Sequence, residues 1–358
     1  MINRKILGCI AAMALVVAGS AGAAELTQKQ KLGKNLFFDV RLSSPAGQAC
    51  ASCHSPGAGF NGIGDANIAV HEGAVVGRFG NRNPPAAAYA SFSPVLSLQC
   101  DGTDCLWIGG QFWDGRAATL ADQAKGPFLN PVEQNNRSKR DVVKLVASSN
   151  YAELFIKVYG VRGLFDVKKA YDNIADAIAA YESSAEVNKF SSKYDQYLEG
   201  KITLSAKEMD GLELFNRPDK GNCAACHPSS VAGDGTKPLF TDFSYDNLGA
   251  PGDPANPDLG LGVTVGDANE NGKFKVPTLR NVGIAAPYGH NGYFKTLKEI
   301  VHFYNTRDVA GENWPAPEYP ATVNTDELGN LGLTDAEEDA IVAFMMTLTD
   351  GYAPPNPR

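Results

Sequence analysis

The chain has 358 residues, enough for two or three units at roughly 150 residues each, so a minimal peptide module is excluded. Apolar residues make up 44% and charged residues 20%, which excludes a disordered chain, while 37 glycines and 21 prolines predict a globular protein rich in loops. The net charge is -8, and without a cluster of five or more Lys/Arg the electrostatic footprint of a nucleic-acid binder is missing.

Residues 1–24 read as a signal peptide. Arg4 and Lys5 precede an apolar run over residues 6–18, and Ala21-Gly22-Ala23 offers small residues for cleavage. The run is too short to span a bilayer, and no later stretch is long enough for a membrane helix, so no stable membrane insertion is expected. The competing reading is a short membrane anchor. Export to a periplasm follows from the signal, and loss of Arg4 and Lys5 makes the mature chain more acidic.

Residues 26–37 have helical periodicity and lead into Cys50-Ala51-Ser52-Cys53-His54, a C-x-x-C-H sequence. The same succession recurs later, where Leu204-Ser205 to Leu214-Phe215 leads into Cys223-Ala224-Ala225-Cys226-His227. Ser205 and Glu208 form a capping box that marks the start of the second helix. In C-x-x-C-H two thiols one helical turn apart can each form a thioether with a haem vinyl group, and the next histidine is held under the iron. A redox dithiol or a zinc site is the rival reading of each motif. Two motifs in one exported chain predict two covalent haem c groups, with His54 and His227 as proximal ligands.

Between the motifs, Cys100 and Cys105 lie close together and are expected to pair in an oxidising compartment; two free thiols, or half of a metal site, are the alternatives. Trp113-Asp114-Gly115 with Thr119-Leu120 is mirrored by His290-Asn291-Gly292 with Thr296-Leu297, and Arg82-Asn83 by Arg280-Asn281. Asp176 to Tyr181 is mirrored by Asp339 to Phe344, each in an amphipathic helix that closes its half. The predicted fold is therefore all-α and loop-rich: two tandem cytochrome c-like domains, residues 25–190 and 200–358, joined near residues 187–202. Residues 249–271 are Gly/Pro/Asp-rich and read as surface loop.

Whether such a chain carries electrons or performs chemistry depends on the sixth iron ligands, since an open or displaceable position admits peroxide. The mature candidates are His71, His290, His302, Met209, Met345, Met346 and a tyrosine. The two adjacent methionines on the closing helix suit core packing, and Met209 a structural role. His302 suits the surface, and His290 a hydrogen-bonding place in a pocket.

The tandem motifs, Gln111-Phe112-Trp113-Asp114-Gly115-Arg116, Arg82-Asn83-Pro84-Pro85, and Val276-Pro277-Thr278-Leu279-Arg280-Asn281-Val282 followed by Ala286-Pro287-Tyr288-Gly289-His290-Asn291-Gly292 resemble the bacterial di-haem cytochrome c peroxidase family, which includes the MauG-like enzymes. The resemblance implies that the N-terminal haem reacts with hydrogen peroxide and that the C-terminal haem receives electrons from a small c-type cytochrome or cupredoxin. It also implies a homodimer and a calcium ion between the halves, held by the Asn83 side chain and the carbonyls of Ala285 and Pro287. His71 falls where the family's peroxidases have a displaceable histidine over the first haem. Tyr304 aligns with the sixth ligand of the second haem, methionine in classical members and tyrosine in MauG-like ones, which draw electrons from aromatic side chains of a partner protein. Gln111 matches a pocket residue. The family's acid falls at Ala121, which cannot move a proton, so Asp122, then Glu72, then Glu133 stand as its replacements. Arg116 is expected to fasten a propionate or a structural acid. The family's inter-haem tryptophan is missing at Ala88-Tyr89, leaving Tyr89 or Trp107 as electron relays. A pure carrier with both irons capped is the reading outside enzymology.

Overall fold

A computed structural model describes residues 25–354 except Thr103, so the expected signal peptide lies outside the described residues. The helix Gln28–Phe38 starts at Thr27, which accepts from Gln30 N–H while the Gln30 side chain accepts from Thr27 N–H. Its buried face of Leu32, Gly33, Leu36 and Phe37 packs on the helix Val167–Glu182, which closes the first half. The second half repeats this pair. Ala206–Asn216 begins with the predicted Ser205/Glu208 capping box and packs on Asp335–Met346.

Each crossing is close because a glycine sits at the point of contact. A Cβ on Gly33 would lie 1.9 Å from the Ala177 carbonyl oxygen, and one on Gly211 would lie 1.9 Å from that of Ala340. One turn further along, an edge-on aromatic pair fills the space: Phe37 on Tyr181 at 5.5 Å, and Phe215 on Phe344 at 5.1 Å. The duplication seen in the sequence is thus a duplication of packing. Two buried clusters result, the first drawing on residues from Leu32 to Val187 and the second on residues from Tyr194 to Leu348.

Strands are few, as the all-α expectation requires, but one hairpin was not foreseen. Ser97–Asp101 pairs antiparallel with Asp104–Ile108, opposing Cys100 to Cys105, which form a disulfide. Its base runs directly into Gly109-Gly110-Gln111, where Tyr245 donates to the Gly109 carbonyl. A two-residue pair joins Tyr245–Asp246 to Phe274–Lys275. Residues 249–271 contain a short helix, Leu261–Val265, where loop alone was expected. Among the described residues no helix is long and apolar enough to cross a membrane.

The halves meet through polar bonds as well as apolar contact. Lys275 N–H donates to the Trp113 carbonyl, Asn83 N–H to that of His290, and Arg82 bridges Asp114 and Asp258. Arg280, 1% exposed, makes two 3.0 Å hydrogen bonds to Asp195.

Alanine normally favours a helix interior over glycine by about 1 kcal/mol. Here Gly211→Ala is expected instead to cost about 1–3 kcal/mol, because the added methyl meets backbone that cannot move aside. Denaturant titration of wild type and variant measures this; a stabilised variant would contradict the close crossing.

Candidate functional site

The one-turn helix Cys50–Cys53 points both thiols at a cavity in the first half, with His54 following directly. The cavity encloses about 1090 Å³ including its mouth and is largely apolar, with Ala86, Ala87, Leu120, Ala124 and Ile178 in its wall. Burial pushes the Cys53 thiol up to about 12, the charge of Glu133 adding to it, so both attachment sulfurs stay protonated; Cys50 is pushed up in the same way. His54 is pushed down to about 4, by burial first and by neighbouring His71 second, which leaves a neutral imidazole with a lone pair to give. Its Nδ1 is buried without a hydrogen-bond partner. Two facing thiols, a neutral imidazole and an apolar hollow fit a covalently held haem.

The second cavity, of about 1680 Å³ including its mouth, repeats this chemistry with Cys223, Cys226 and His227. His227 Nδ1 lies 2.7 Å from the Phe240 carbonyl, so the ring donates there and Nε2 remains free as a ligand. Burial holds His227 neutral and pushes both thiols up to about 12. Tyr304 lines the same cavity, its phenol held protonated by burial first and then by the Cys223 thiol and Asp246. Met345 is buried and also lines it, but Met346 is 49% exposed, against the expectation that both pack in the core. Met209 is partly exposed at 37%. His290 is a pocket residue as expected, stacked on Phe274 and bonded to Glu318 at 2.8 Å. His302 lies at the surface on Glu338.

The structure sorts the candidate acids differently from the sequence. Asp122 is bound to its own helix start: it accepts from Thr119 and pairs with Lys125 at the surface, outside the cavity wall. Glu72 is exposed, its side chain on Gly77 N–H and its carbonyl on Gln48. Glu133 instead faces the first cavity together with Gln111, and burial raises its affinity for a proton against the opposing Asn130 hydrogen bond and Arg116 charge. Gln111 is 4% exposed and donates to the Ala90 carbonyl. Arg116 fastens a structural acid, Asp114, and lies 3.6 Å over the Phe112 ring. His71 is half-buried in the 60–80 loop and is not part of the cavity wall.

Three wall residues escaped sequence reasoning. Trp113 and Lys275 line both cavities, and Glu182 closes the first. Burial pushes Lys275 down to about 8, with Asp114 opposing, and its Nζ rests on the Gly110 carbonyl. Glu182 is pushed up to about 8 by burial, and its Oε2 has no partner. Only the repeat hinted at it: it follows Tyr181 as Met345 follows Phe344. Tyr89 lines the first cavity, whereas Trp107 lies on the hairpin. Asn83 sits at the boundary of the halves, its side-chain amide 2.8 Å from the Pro287 carbonyl and 3.2 Å from that of Gly289. Turned to present its oxygen, that amide would join the Pro287 carbonyl as an oxygen donor, the kind calcium takes.

Residues 27–203 match the family model described as di-haem cytochrome c peroxidase, and residues 208–349 match that of cytochrome c. The methylamine utilization protein MauG of Paracoccus denitrificans is 35% identical over 96% of this chain and 95% of its own length. A cytochrome c551 peroxidase of Nitrosomonas europaea is 32% identical over 89% of this chain and 79% of its own. The solved diheme peroxidase BthA of Burkholderia thailandensis superposes with a TM-score of 0.82 at 34% identity, covering 91% of this chain and 87% of that one.

The buried Asp195–Arg280 pair anchors the wall of the second cavity. Burial works against the Asp195 charge, but the Arg280 and Ser192 hydrogen bonds outweigh it and hold the carboxyl below its ordinary 3.8. Its stabilisation is therefore full above that value and lost as the pH falls below it. Asp195→Asn is expected to cost about 3–5 kcal/mol at neutral pH, because Arg280 is left unpaired. Denaturation of both proteins across pH 3–7 checks this; a difference independent of pH would contradict it.

Proposed function

This chain belongs to the di-haem cytochrome c peroxidase family, and from that premise we propose that it is a periplasmic enzyme that reduces hydrogen peroxide to water in the first cavity with electrons entering through the second. Cys50, Cys53 and His54 would hold one haem c, and Cys223, Cys226, His227 and Tyr304 the other. The haems supply an iron that binds peroxide and an iron that passes electrons. The observation that carries this reading is that Gln111 and Glu133 face the His54 cavity together.

Each residue has a task there. Glu133, whose affinity for a proton burial raises, moves a proton from the inner to the outer peroxide oxygen, the work that Ala121 cannot do. Gln111, its amide nitrogen held by the Ala90 carbonyl, is fixed in orientation to contact the departing water. The apolar wall excludes bulk water. His71 lies outside the cavity wall, and on this reading the cavity would be left to peroxide. Asn83, with the carbonyls of Ala285 and Pro287, would hold calcium where the halves join. The electron donor would be a small c-type cytochrome or cupredoxin, and a basic one would suit the acidic chain.

Tyr304 favours a second reading. A phenolate ligand stabilises oxidised iron, so two oxidising equivalents could be held across both sites and spent on aromatic side chains of a partner protein.

Steady-state consumption of hydrogen peroxide with a reduced cytochrome donor tests the first reading. Glu133→Gln is expected to lower kcat by about 10²–10⁴-fold with an unchanged Soret band. A wild-type rate no better than free haem removes the peroxidase reading, and an unimpaired Glu133→Gln removes Glu133 as the acid. For the second reading, Tyr304→Phe should shorten the lifetime of the peroxide-treated protein's oxidised state.

A further inference from the structure

We propose that Lys275, a residue of the second half, is the counter-cation for a propionate of the haem in the first cavity. The proposal rests on the di-haem reading of the two cavities and needs no peroxide chemistry. A haem c brings propionate carboxylates into a largely apolar hollow, where an ionised carboxylate is costly unless a cation meets it.

The cavity walls offer few such cations. Among the described residues their lysines and arginines are Lys275, which lines both hollows, and Arg280, which lines the second. Arg280 is occupied by Asp195 through two hydrogen bonds. Arg82 pairs with Asp114 and Asp258, and Arg116 with Asp114. Asp114 is thereby filled: its Oδ2 accepts from Arg82 and Arg116, and its Oδ1 from Arg116. It reaches Lys275 by charge alone, and among the described residues no carboxylate is bonded to the Lys275 ammonium.

The side chain is turned to the first hollow. Lys275 Nζ donates to the Gly110 carbonyl at 2.5 Å and lies 3.5 Å from the Ser93 hydroxyl, which donates to the same carbonyl. Ser93 lines the first cavity and not the second, and Gly110 precedes the pocket residue Gln111. An ammonium has three donors, so the Gly110 bond leaves others free for an arriving anion. The backbone fixes this aim, because Lys275 N–H donates to the Trp113 carbonyl across the partition. Burial disfavours the charge of Lys275, with Asp114 opposing, and a carboxylate at a free donor would hold the cation.

The first haem would thus take a charge from the other half of the chain. A propionate left without its cation stabilises the ferric state, so loss of the Lys275 charge lowers the potential of that haem.

The test uses holoprotein and two readouts: a spectroelectrochemical titration that follows each haem by its own absorption, and resonance Raman spectra of the propionate bending bands. Lys275→Gln keeps a donor for the Gly110 carbonyl but removes the charge. It is expected to lower the reduction equilibrium constant of the first haem about tenfold, ~59 mV for a one-electron couple, to move the second haem less, and to shift a propionate band. Lys275→Arg keeps the charge and changes the bonding group. It should leave the potential within about threefold of wild type while still shifting the band, and it carries the test alone where Lys275→Gln does not fold. Unchanged propionate bands in either folded variant, or a Lys275→Gln shift as large at the second haem as at the first, overturn the assignment. A purified chain with fewer than two haems per protein would overturn the di-haem reading instead.

Discussion

In each half two helices cross with a glycine against a carbonyl, and the rest of the structure hangs from those crossings. Because Gly33 lets its helix rest on Ala177, Phe37 meets Tyr181 edge-on and the closing helix delivers Glu182 into the first cavity. Gly211 on Ala340 does the same, bringing Phe215 to Phe344 and Met345 to the second. The leading helix then turns into its attachment motif at a fixed distance from the crossing. A looser contact would shift motif and wall relative to one another, and a planar group bonded at two sulfurs tolerates little of that.

On this common frame the two cavities have diverged in their polar groups. The first holds groups suited to moving protons, Gln111 and Glu133, with Glu182 at its edge. The second holds an oxygen donor, Tyr304, and a hydrogen-bonded His227. Burial disfavours charge on Glu133, Glu182, His227 and Tyr304 alike, so each can respond to charge that arrives with a substrate or leaves with an electron. Lys275 stands in the partition as the buried exception, with Asp114 supporting its charge.

Much of this was written plainly in the chain. The C-x-x-C-H motifs, the Ser205/Glu208 cap and the paired halves are local or periodic signals, and the Cys100–Cys105 pairing followed from compartment and proximity. The proposed acid was legible only as the last of three candidates. Asp122 stands beside Ala121 in sequence, but as the third residue of its helix it is engaged by the Thr119 cap, whereas Glu133, eleven residues beyond, reaches the cavity from a turn. Met346 follows a buried Met345, yet one residue along a helix is a rotation of about 100°, enough to face solvent. Trp113 and Lys275 became neighbours through a bond between residues more than 160 positions apart, and no periodicity encodes that.

The partition between the cavities belongs to neither half. Trp113 and the 83–86 segment serve the second hollow, while Phe243 and the 275–278 segment serve the first. The attachment sulfurs open onto hollows that neither half walls alone, so each hollow takes its shape only where the two halves meet. A substitution in the partition is therefore felt on both of its faces.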